Sequence, residues 1–182
     1  MFHPNTERFI ATWRDHREGR RLPARADLSP IDLGPMLPQV FMLGREADGE
    51  EIFRLSGGLI ADLHGRDLRG SSFYSLWPKL DRPQVAAAVA RSRSTAAPAV
   101  ISADVLGERG EAVGVELCLA PLTGPTGEAD RTIGLYQPTA TVARLMGSTI
   151  KSFMIRNVSL ADRAPDVGPR LRLVVDNTRR VA

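Results

Sequence analysis

The chain has 182 residues, 43% hydrophobic and 25% charged, with a formal net charge of +3; that fits one soluble domain with a real core and excludes disorder throughout. Its basic residues are arginine except Lys79 and Lys151 and are scattered from Arg8 to Arg180, so no nucleic-acid face is expected. A lone Cys118, no apolar run near the roughly 18 residues of a membrane span and no signal-peptide core at "MFHPNTERF" exclude a disulfide scaffold and lead us to expect a cytoplasmic protein without a membrane partner.

The first element is a helix over residues 5–19, with Asn5 as its cap, Gly19 as its stop, and Phe9, Ile10 and Trp13 on one face. Such a stripe must be buried on the chain's own sheet or on a second copy, and a homodimer surface is the first expectation. A turn begun by Ser29 and Pro30 is interrupted by Gly34 and Pro35, after which "QVFMLGREADGEEIFRLS" reads as a hairpin turning at Asp48 and Gly49.

Helical signals follow. "GGLIADLHG" places Leu59, Ile60 and Leu63 together and ends at Gly65; "SSFYSLWP" is capped by Ser71 or Ser72 and closed by Pro78. The latter gathers Phe73, Tyr74 and Trp77 in a chain with only six Phe, two Trp and two Tyr, which makes it a wall of the interior. Residues 81–95 form the clearest helix, with Asp81 as cap, alanines within, and Val85 and Val89 one turn apart.

Alternation then marks strands. Ala99, Ile101, Ala103 and Val105 alternate, then Val113, Val115, Leu117 and Leu119, and "RTIGLYQPT" supplies a fifth strand ended by Pro138. The order predicts an α+β domain: a five-stranded antiparallel sheet with helices on one face, an N-terminal amphipathic helix (1–22), a central domain (23–140) and a C-terminal extension (141–182). In that extension Ile150, Phe153 and Met154 sit in a helix or strand, and "RLRLVVD" has a strand pattern that could add to its own sheet or to a partner's.

The stretch "LIADLHGRDLRGSSFYSLWPKLD" resembles a PAS domain: a helix ends in glycine, a charged turn leads to a second glycine, and a small helix precedes the long one. Gly65, Leu68, Gly70, Leu76 and Asp81 fall on that pattern. With "IGLYQPT" and the lead helix, residues 5–140 are similar to a bacterial family of small stand-alone PAS-like proteins. Ser56, Gly57 and Gly58 stand where PAS domains often carry Asn. The resemblance implies a sensory or regulatory module, with an interior cavity in many members. Haem is disfavoured because residues 81–95 contain no histidine, and flavin because Cys118 lies in an expected strand rather than a helical segment. His64, beside Gly65, is expected to be solvent-facing or structural, and no metal site is expected.

Catalysis is not expected: His64, Asp67, Ser71 and Ser72 are close in sequence, but no nucleophile elbow or phosphate loop accompanies them. The candidate wall of a small apolar ligand pocket is Phe73, Tyr74, Leu76, Trp77, Val85, Val89, Ile101, Leu117 and Tyr136, with Val115 and Leu135 on the same sheet face and Tyr74, Ser102 or Tyr136 supplying polarity. The alternative is that these residues pack together and the protein is a ligand-free structural or adaptor protein. Without an attached output module, a signal would have to leave through another chain: a second copy or a signalling partner protein.

Overall fold

The computed structural model describes residues 1–145 and 147–161. The "RLRLVVD" expectation therefore lies outside the described residues. Helices α1 (Pro4–Asp15) and α2 (Pro30–Leu33) precede the hairpin of β1 (Val40–Arg45) and β2 (Glu51–Ser56). Then come α3 (Gly58–His64), a 3-10 turn (Phe73–Leu76) and α4 (Arg82–Thr95), followed by β3 (Ala99–Gly107), β4 (Ala112–Leu122), β5 (Arg131–Pro138) and β6 (Ile150–Leu160).

The sheet is antiparallel, with six strands rather than five, in the order β2-β1-β5-β4-β3-β6. The added strand comes from the expected C-terminal extension, whose residues 150–160 pair along the whole of β3. A 3-10 turn, Val142–Leu145, leads into it and buries Leu145 in the main core. Sequence alternation hides β6 because its ladder slips twice: Gly107 opposes Ile150 but Leu106 opposes Ser152, and Ser102 opposes Asn157 but Ala103 opposes Ile155. The extra residues, Lys151 and Arg156, are bulges that let Ile150, Phe153, Ile155 and Val158 share one face despite irregular spacing.

Both faces of the sheet are covered, a second correction to the expected one-sided arrangement. α3, the 73–76 turn and α4 pack on one face, around Phe41, Phe53, Ile101, Leu117 and Phe153. On the other, α1 and α2 bury Phe9, Ile10, Trp13 and Leu33 against Val100, Cys118, Ala120, Ile133 and Leu135. Leu135 thus faces α1, because Cys118 opposes it across the ladder while Leu117 opposes Tyr136. Ser102, opposite Glu116, likewise belongs to the α1 side.

The stripe expected as a homodimer surface is occupied inside the chain: Phe9, Ile10 and Trp13 are 1%, 4% and 2% exposed. Polar anchors fix that docking. Trp13 Nε1 donates to the Pro121 carbonyl at 2.9 Å, the Glu116 carboxylate accepts from the His3 amide at 3.0 Å, and Asn5 Nδ2 donates to Gln137 Oε1 at 3.0 Å. The cap of α1 is His3 rather than Asn5: His3 Nδ1 accepts the Asn5 amide, and the helix starts at Pro4, whose missing N–H costs nothing there.

Candidate functional site

The wall residues converge as expected, but on a filled interior. α3 ends where Gly65 adopts φ 63°, a left-handed conformation that glycine enters without strain. The chain then reaches Ser72, whose hydroxyl accepts the Tyr74 amide and starts the 73–76 turn. That turn is a tight 3-10 segment rather than an α-helix, and it still drives Phe73, Leu76 and Trp77 inward. Val85 and Val89 of α4, Ile101 of β3, Leu117 of β4 and Tyr136 of β5 meet them. Tyr74 is half-buried at the edge, 6.1 Å from the Phe73 ring, with its hydroxyl pushed up to about 12 by burial and the nearby Glu51 carboxylate.

The sequence expectation missed the centre of this interior. Phe153 of β6 lies 5.0 Å from the Trp77 ring, 5.9 Å from His64 and 5.9 Å from Tyr136. His64 stacks on Phe153 at an interplanar angle of 17° and is buried rather than solvent-facing. A second aromatic group, Phe41, Phe53 and Phe73, continues the packing toward β2. Phe41 fits only because its partner across the ladder is Gly134; a Cβ there would run into the phenyl ring.

Three polar atoms in this apolar group have no hydrogen-bond partner among the described residues: His64 Nε2, Trp77 Nε1 and Tyr136 Oη. Each such orphan costs about 1–3 kcal/mol, so a cluster of them around one ring is unusual in a settled core. Burial, with the Arg66 charge, lowers the His64 imidazole to about 4, so it is neutral near pH 7 and offers one donor and one acceptor. Burial raises the Tyr136 phenol, which stays protonated. A depression of about 210 Å³ lined by His64, Arg66, Ser75, Leu76, Lys151 and Phe153 lies beside this group, whose Phe153 is itself fully buried.

At the other end, α4 is pinned by a buried ion pair. Arg93 reaches both Glu51 carboxylate oxygens, with Nη2 2.7 Å from Oε2, and also donates to Thr132 Oγ1 at 3.1 Å. The pair spans α4, β2 and β5 and holds the helical layer over the hairpin.

Other chemistry-bearing residues are dispersed. Asp67 pairs with Arg69 at 2.6 Å, Ser71 donates to the Leu68 carbonyl, and Ser72 donates to Glu50, so these groups and His64 do not converge as a triad. Cys118 faces the α1 layer, with its thiol pushed well up by burial, and lies on the opposite side of the sheet from the aromatic group. At the Ser56–Gly58 junction, glycine is required by close approach: a Cβ on Gly57 would meet the Pro38 and Leu37 carbonyls, while its N–H donates to Val40 at 2.9 Å.

Several solved structures are similar to this chain. A LOV protein of Rhodobacter sphaeroides is 12% identical, with a TM-score of 0.47, covering 79% of this chain and 71% of that one. A light-oxygen-voltage domain studied with a flavin analogue is 12% identical, with a TM-score of 0.44, covering 60% of this chain and 83% of its own. An RNA-binding light-oxygen-voltage receptor is 16% identical, with a TM-score of 0.42, over 59% of this chain and 31% of its own. No curated protein matches the chain. The PAS domain family model matches residues 1–137, three quarters of the sequence, and the chain belongs to the PAS domain family.

Proposed function

We propose that this PAS domain is a non-enzymatic sensory or regulatory module that works through protein–protein association and responds to a small ligand in its aromatic interior. Its working environment is the cytoplasm, and its first partner is a second copy of itself. The observation that carries this reading is the double role of β6. Inward, the strand places Phe153 at the centre of the aromatic group; outward, it is the last strand of the sheet, with an eleven-residue edge that no described strand covers. Met154, 49% exposed, sits at that edge. An outer strand can extend the sheet by pairing with another β6, which links the interior to an association surface through one element.

Sedimentation velocity on the full chain tests the association. The expected result is a two-chain species that Met154→Glu weakens by about tenfold in dissociation constant, because a charge in each copy would be brought to the shared edge. A single-chain species at all concentrations up to about 100 μM would overturn self-association at biologically useful strength. The ligand-free adaptor is the second reading, favoured by the filling of the interior by Phe41, Phe53, Phe73, Trp77 and Phe153. In that case association would proceed unchanged by any small molecule.

A further inference from the structure

Phe153 is surrounded by partners that a phenyl ring cannot satisfy. Trp77, His64 and Tyr136 all lie within 6 Å of its centroid, and Nε1, Nε2 and Oη of these residues are buried without a hydrogen-bond partner among the described residues. Orphaned atoms also occur elsewhere, on Thr6 and Arg93 among others, but the equally buried indole N–H of Trp13 is bonded to Pro121, and around Phe153 three such side chains pack on one ring. The unmet inventory is specific: one obligate donor from Trp77, one hydroxyl able to donate or accept, and one imidazole nitrogen.

The side chains packed on the ring are aromatic and aliphatic and offer a charge no partner, and the charges bordering the depression, Arg66 and Lys151, are both positive and repel a cation. A flat compound with hydrogen-bonding groups on its rim could keep the stacking contacts with His64 and satisfy the orphaned atoms at the same time. A surface depression bordered by His64, Leu76 and Phe153 lies next to the buried ring, so a guest has to open only the wall between them. The occupant can also leave: Phe153 stands on an outer strand, between bulges at Lys151 and Arg156 that interrupt the β3 ladder on either side.

We infer that the Phe153 ring holds the place of an uncharged heteroaromatic compound of one or two rings, bound through Trp77 Nε1, Tyr136 Oη and His64 Nε2, and that binding expels Phe153 and loosens β6. This assignment rests on the sensory reading above and gives it a ligand class. It also gives the signal a route, because the strand that yields the ring is the one whose outer edge is open.

Nitrogen-15 spectra of the full chain test it through the two indole N–H signals, with Trp77→Phe identifying which is which. The probes are benzimidazole, uncharged near neutral pH with one N–H and one bare ring nitrogen, and indane, its hydrocarbon counterpart. Benzimidazole is expected to move the Trp77 signal downfield and leave Trp13 unmoved, while amides of β6 exchange faster with solvent. Indane should bind at least about tenfold more weakly, and Tyr136→Phe should weaken benzimidazole about tenfold, the worth of one hydrogen bond. Phe153→Ala, which has no ring to expel, should bind benzimidazole more tightly than the wild-type chain.

If Phe153→Ala binds benzimidazole and the wild-type chain does not, Phe153 is permanent packing and the assignment fails. Equal affinity for indane and benzimidazole would also overturn it, since the place would then be an apolar hole; ligand sensing would still stand. Absence of binding in both proteins removes the site, whereas self-association is decided separately by sedimentation.

Discussion

The two layers that sandwich the sheet are built from similar side chains and completed differently. On the α1 side, three long-range pairs dock the helix, Trp13 to Pro121, Glu116 to His3 and Asn5 to Gln137, and of the helix's own buried side-chain atoms Thr6 Oγ1 is left without a partner among the described residues. On the α3–α4 side, Arg93 is paired with Glu51 and Thr132 through its terminal nitrogens at one end, with Nε alone unpartnered, while at the other Trp77, His64 and Tyr136 each carry an atom without a partner among the described residues. The α1 layer therefore acts as a fixed backing. The helical layer has a rigid end at the hairpin and an unfinished end beside β6, and unfinished polar interiors are where a ligand or a conformational change has free energy to act on.

The largest expected effect sharpens the contrast at the rigid end. Glu51→Ala leaves the Arg93 guanidinium buried beside Thr132 without its carboxylate and should lower unfolding stability by about 3–5 kcal/mol. Glu116→Ala on the α1 side removes a buried carboxylate whose partner is the part-exposed His3 amide rather than a buried charge, and should cost less, about 1.5–3 kcal/mol. Urea unfolding measures both. Equal losses would show that the Arg93 pair is not the stronger anchor.

A pH effect of about 3 kcal/mol at most is expected from His64. Its folded value, about 4, lies below the ordinary 6.5, so between these values the unfolded chain binds the proton and the folded chain resists it. The stabilisation is complete above pH 6.5 and is lost as the pH falls toward 4, at about 1.4 kcal/mol per pH unit. Arg66 adds to the cost of a charged imidazole, and Lys151 from β6 borders the same opening. Carboxylates titrate in the same acid range, so the measurement is the difference between the wild-type chain and His64→Leu. Parallel stability curves from pH 7 to pH 4.5 would mean that His64 reaches solvent freely.

The sequence made the strands and hairpin legible because alternation and turn chemistry are local signals: Asp48 and Gly49 turn the hairpin, and Val113 to Leu119 alternate through β4. The wall of Phe73, Leu76, Trp77, Val85 and Val89 was legible for the same reason. Four things were not. Which face Leu135 takes depends on register with Cys118, and register is not a local property. β6 is ambiguous between helix and strand in the sequence because its bulges break the alternation by which strands are recognised. His64 looked like a terminal residue beside a glycine, and only the arrival of Phe153 from a distant strand makes it part of the interior. The burial of Phe9, Ile10 and Trp13 turned on whether their own sheet had a face free for them, which required knowing that α3 and α4 take the opposite one.

The two tryptophans give a smaller and cleaner comparison. Trp13→Phe leaves the Pro121 carbonyl without its donor, whereas Trp77→Phe removes an N–H that has no partner among the described residues. Both lose similar buried area, so Trp13→Phe should be the more costly by about 1–2 kcal/mol. Thermal or urea unfolding of the pair measures the difference, and an equal cost would show that the Trp77 indole is in fact hydrogen-bonded in solution.

Tyr136→Phe is the smallest expected change and the most direct probe of the unfinished end. In the free protein it deletes a buried hydroxyl that has no partner among the described residues, so stability should stay within about 0.5 kcal/mol of wild type or rise slightly. A loss above about 1.5 kcal/mol would mean that the hydroxyl makes a bond that holds the fold together. Near-neutral stability combined with weakened benzimidazole binding separates the two roles a buried polar atom can have. The hydroxyl would contribute nothing to the closed state and a hydrogen bond to the liganded one, so its free energy appears only when Phe153 gives up its place.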